Sequence, residues 1–164
     1  LISTLFVAVL ALMLVNVLPQ ALKYTLVFWK PYGWLPGQEA FSTYVANDSR
    51  INRQTLQYRL GNFPADAREQ NAVWYGIYQS LKHEPEIQDA HKHFLLYRDM
   101  ATLSFLFTGL FPLSLYLLDV NVKSCALVFV LFLAQYFLTA ISARWGGIRF
   151  VTSVLAIYAS VRPN

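Results

Sequence analysis

The chain has 164 residues, 56% of them hydrophobic and 13% charged, with a formal net charge of +4. Soluble domains average about 45–50% apolar and about 25% charged residues, so the composition excludes an ordinary soluble domain. A nucleic-acid-binding surface is excluded by where the charge lies: residues 30–99 balance eight basic against eight acidic side chains, and the excess sits beside apolar runs.

Residues 1–18 carry only Ser, Thr and Asn as polar groups. That is close to the ~20 residues a helix needs to cross ~30 Å of hydrocarbon. The run has no basic n-region and exceeds the roughly 7–15 apolar residues of a cleavable signal, so it reads as a retained span within a membrane segment over residues 1–29. Asn16 lies deep in it, where an amide is expected to bond a neighbouring helix. Pro19 predicts a kink, and Lys23 is expected to snorkel. Tyr24, Phe28, Trp29, Tyr32 and Trp34 form an aromatic belt of the kind that sits at headgroup level.

Residues 30–98 read as a small helical domain. Short helices are expected over residues 39–46, from near Asp48 or Ser49 to Gly61, and from Pro64–Asp66 to near His83. The last carries an apolar stripe of Val73, Trp74, Ile77, Tyr78 and Leu81. Pro85 suits the first turn of a further helix, and no breaker follows before Gly109 and Pro112. One helix is therefore expected to rise out of this domain and continue through the second span, residues 99–119, with a bend at Pro112. The third span covers residues 124–144. Gly146-Gly147 is expected to end it, leaving residues 147–162 as a fourth span or an interfacial helix.

Eleven basic residues flank or fill the 30–98 side, against Lys123 alone in the connection between spans two and three. The positive-inside rule then places residues 30–98 in the cytoplasm of a multi-pass protein, in the inner (plasma) membrane of a bacterium. Asn47-Asp48-Ser49 matches the glycosylation sequon, which is silent on that side. Cys125 is the single cysteine, so no disulfide forms within the chain.

The decapeptide HKHFLLYRDM, residues 91–100, concentrates charge just before an uncharged run. His91 and His93 point about 160° apart on a helix, which argues against a shared metal ion. No nucleophile elbow, zincin, phosphate-loop or dinucleotide-binding motif occurs, and no cofactor is expected. His91, Arg98 and Asp99 remain as candidates for a membrane-junction or gating element, and Trp74, Tyr75 and Tyr78 for an oligomer or partner interface. Asp99 in particular is expected to bond Arg98 of a neighbouring subunit or a basic group of the same domain, because a carboxylate at the edge of hydrocarbon is costly unless paired.

Together these readings describe an all-α membrane protein with three to four transmembrane or membrane-associated helices and a small helical cytoplasmic domain inserted between spans 1 and 2. The expected function is non-enzymatic. The chain would assemble in the lipid bilayer with copies of itself or with other membrane-complex subunits, as a cytoplasmically gated pore or membrane-perturbing effector. A scaffold or anchor subunit is one alternative. A lipid-modifying enzyme using His91, Arg98 and Asp99 is the other.

Overall fold

The structure is a computed structural model and describes residues 13–160. Among these every regular element is helical. The predicted first span thus lies mostly outside the described residues, as does Arg162. Residues 13–17 are helical, and Pro19, with an extended ψ of 140°, separates them from α1, Gln20–Phe28. The break follows from proline's steric bias against a helical residue before it.

The next element, Pro36–Asn47, is one helical stretch of changing pitch: a 3-10 turn Pro36–Glu39, a π turn Ala40–Tyr44 and a last α turn Val45–Asn47. α2 is Arg53–Leu60 and α3 is Ala67–Leu81. α2 starts later than expected because Asp48 is spent on the turn before it. Its carboxylate accepts from the Arg50 amide at 3.0 Å, and Asn52 provides the N-cap through Thr55 N at 3.0 Å. α3 opens where Asp66 caps the amides of Arg68 and Glu69 at 2.9 and 3.1 Å.

α4, Pro85–Leu117, has 33 residues and α5, Val122–Ser160, has 39. Both are long and apolar enough to cross a membrane. α4 runs uninterrupted through Pro112. It ends in a Schellman motif, with Asp119 left-handed at φ 57° and Val120 N bonded to Leu115 O at 3.1 Å. Asn121 then caps α5 through Ser124 N at 2.9 Å.

The expected stop at Gly146-Gly147 does not occur: α5 continues to Ser160. Gly146 instead lies against α4, where an added Cβ would stand 3.4 Å from Phe94 Cα, at ordinary contact distance.

The chain divides into two compact units. The first comprises residues 13–33 and 95–144 of the described chain. In it α4 and α5 run antiparallel, with Phe105 against Tyr136 and both Phe107 and Phe111 against Phe132. Small buried side chains, Ala101, Ser104 and Thr108 on α4 and Ala140 and Ala143 on α5, line the buried faces. The hydroxyls of Thr102, Ser104, Thr108 and Thr139 bond carbonyls three or four residues back at 2.8–3.0 Å. No polar hydrogen in these turns is left looking for water.

The second unit comprises residues 34–94 and 145–160. Its core is built on the C-terminal end of α5, whose Phe150, Val151, Val154 and Leu155 are buried. Trp74 packs edge-on against Phe150 at 5.4 Å and donates its indole N–H to Val151 O at 3.3 Å. Gln70, itself buried, accepts from the Phe41 and Ser42 amides at 3.1 Å each, satisfying donors that the π turn leaves over. Gly37 approaches α3 so closely that a Cβ would sit 2.5 Å from Asn71 Oδ1 and 2.7 Å from Trp74 Cε3. Within the segment expected to form a separate fourth span or interfacial helix, Phe150, Val151, Val154 and Leu155 thus lie at the apolar centre of this unit.

Candidate functional site at the head of the apolar helices

Where the uncharged part of α4 begins, the first unit gathers Lys23, Arg98 and Asp99. Asp99 Oδ1 accepts from Arg98 Nε and Nη2 at 3.0 and 2.8 Å and from Lys23 Nζ at 3.3 Å. Lys23 is 1% exposed and Arg98 5%. The Arg98 guanidinium also lies 5.8 Å from the Tyr24 ring centroid, a further cation–π contact. Two buried cations therefore share one carboxylate. The partners of Asp99 within this chain are its own neighbour Arg98 and Lys23 of α1. Lys23 does not snorkel. It turns inward, because a buried ammonium with a carboxylate partner avoids unpaired desolvation.

The end of α1 is tied down by α5. Its closing residue Trp29 is left-handed at φ 53° and donates its indole N–H to Tyr136 Oη at 3.1 Å, while Tyr136 donates to Leu26 O at 2.8 Å. Arg144 donates to Phe28 O and lies 4.1 Å over the Trp29 ring. Positive charge at a helix C-terminus satisfies carbonyls left without intrahelical donors. Nothing in the local sequence announces these contacts beyond the pairing of an aromatic belt with a basic residue.

His91 belongs to the second unit. Its ring stacks on Phe150 at 4.7 Å, and Nδ1 lies 3.3 Å from the Tyr78 hydroxyl. Trp74 and Tyr78 stack at 5.8 Å, and burial pushes the Tyr78 phenol above its ordinary pKa of 10.0. Of the three aromatic residues proposed for an interface, Trp74 is thus buried in its own unit and Tyr78 half-buried, whereas Tyr75 is 52% exposed. Asn16 is exposed. Among the described residues no cluster of His, Cys, Asp and Glu is arranged to hold a metal ion.

No protein-family model, curated protein or solved structure matches this chain.

Proposed function

We propose that the protein is a non-catalytic integral membrane subunit that anchors its helical domain at the bilayer and assembles with other membrane chains. One observation carries this reading. Residues 95–117 of α4 and 122–144 of α5, 23 residues each, leave a broad apolar band exposed, including Phe105, Leu110, Leu113, Leu127, Val130, Leu131 and Leu138. Their most apolar windows are only 22% buried, unlike the core helices of a soluble protein. Each stretch is about 34 Å long at 1.5 Å per residue, against ~30 Å of hydrocarbon. An exposed apolar surface of that extent calls for lipid or protein to cover it.

Assembly is supported by Gln135, an exposed amide midway along the α5 stretch whose side chain has no partner among the described residues. An amide in hydrocarbon gains most by bonding across to another helix. An anchor fits better than a pore. The exposed serines of these two stretches, Ser114 and Ser142, are already bonded to their own backbones, and beside Gln135 only the Tyr97 and Tyr116 hydroxyls are left to line a water-filled path. The distribution of basic residues orients residues 30–98 toward the cytoplasm.

Single cysteines placed at Lys82 and at Asn121 in a Cys125→Ser background, labelled with a membrane-impermeant maleimide, test the crossing. Position 121 is expected to react on intact cells and position 82 only after permeabilisation. Labelling of both from one side refutes the spanning hairpin, and a strict monomer in detergent refutes the assembly.

A further inference from the structure

The second unit contains a cavity of about 550 Å³, within the usual range for small-ligand sites. One wall is fixed. Asp48 takes both Arg50 Nε at 3.0 Å and Nη2 at 2.7 Å, and the same Nη2 reaches Thr152 Oγ1 at 2.9 Å. These bonds fasten the loop between the Pro36–Asn47 stretch and α2 to α5. Arg50 holds the Asp48 carboxyl well below the usual carboxylate range, so the pair stays ionised and mutually neutral.

The same lining holds a charge that no partner offsets. Arg149 is exposed, and no hydrogen bond or ion pair joins its side chain to any described residue. Trp145, one turn earlier on the same helical face, is 67% exposed. Thr43, Asn47 and Ser49 add neutral polar groups to the lining. With Asp48 and Arg50 cancelling, the lining carries a single net positive charge.

We infer that this cavity binds the phosphodiester headgroup of an anionic phospholipid. The inference rests on the membrane reading above and adds a ligand to it. A phosphodiester carries one negative charge, matching the one unpaired guanidinium, and Arg presents parallel donors suited to two phosphate oxygens. Position along α5 favours lipid over free phosphate. Trp145 and Arg149 are the first and fifth residues beyond the apolar stretch on one uninterrupted helix, roughly 2 and 8 Å along its axis. Indole rings and arginines settle at that depth, among headgroups.

The test uses the full chain reconstituted in phosphatidylcholine vesicles containing a minor fraction of phosphatidylglycerol. The lipid that stays with the protein after gentle extraction is counted for the native chain and for Arg149→Gln. Phosphatidylglycerol is expected to be enriched on the native protein, and the substitution to lower that enrichment roughly five- to tenfold, the loss of one charge-assisted phosphate contact. In a second arm independent of that variant, the fluorescence that Trp145→Phe removes is expected to be quenched more by brominated phosphatidylglycerol than by brominated phosphatidylcholine. Equal phosphatidylglycerol retention by both chains, or equal quenching by both lipids, overturns the site. Inorganic phosphate that displaces the lipid at matched concentration reassigns it to soluble phosphate and overturns the lipid assignment. Protein that washes off the vesicles in alkaline carbonate defeats the membrane reading itself, whereas stable insertion without lipid preference defeats only this inference.

Discussion

Replacing Asp99 with Asn keeps the side chain's shape and removes its charge, leaving Lys23 and Arg98 buried and unpaired. Breaking a buried ion pair by deleting one partner costs about 3–5 kcal/mol. Asp99 keeps 36% of its side chain exposed, so water recovers part of the loss and the low end, roughly 3 kcal/mol, applies. At about 2–4 °C per kcal/mol for a chain of this size, the melting temperature should fall on the order of 6–12 °C. Lys23→Met acts in the other direction. It removes the surplus cation and leaves Arg98 and Asp99 balanced, so its own cost is expected to stay within about 1 kcal/mol. In the double variant only Arg98 lacks a partner, and the two losses should fall short of additivity by about 1–3 kcal/mol. Thermal unfolding of the four proteins in one detergent, followed by tryptophan fluorescence, measures all three quantities. An Asp99→Asn midpoint within about 1 °C of the native value, or strict additivity, would refute the shared-carboxylate account.

Two further outcomes test the second unit. Gly37→Ala should cost about 1–3 kcal/mol, because the new methyl meets Asn71 Oδ1 at 2.5 Å and the Trp74 ring at 2.7 Å; an unchanged thermal midpoint would show that the Pro36–Asn47 stretch does not pack on α3 this closely. The Asp48 carboxyl titrates below its ordinary 3.8 when folded, so the unfolded chain takes up its proton first as pH falls. Its contribution is therefore present above pH 3.8 and lost as pH drops toward the folded value. Acid melts should separate native protein from Asp48→Asn in size of acid loss below about pH 4 and not between pH 5 and 7, and a difference that grows between pH 5 and 7 would contradict the pairing.

Much of the architecture is local chemistry and can be read from the chain. The uncharged runs dictate helices that close their own backbone hydrogen bonds, Asp66 and Pro85 mark starts, and Asp119 to Asn121 make a turn. Those signals act within a few residues, so periodicity and capping capture them. What the tertiary structure decided are choices between partners far apart in sequence. Lys23 could reach for headgroups or for a carboxylate 76 residues away, and only packing selects Asp99. Trp74 could face a partner or a core, and Phe150 and Val151 decide it. Gly146 has the composition of a helix stop, yet α5 runs on through it where it lies against Phe94. Phe150, Val151, Val154 and Leu155 could face lipid or a core, and they are buried because residues 34–94 supply the matching surface. Hydrophobicity is non-directional: the sequence alone says that such a face must be covered, and the fold alone says by what.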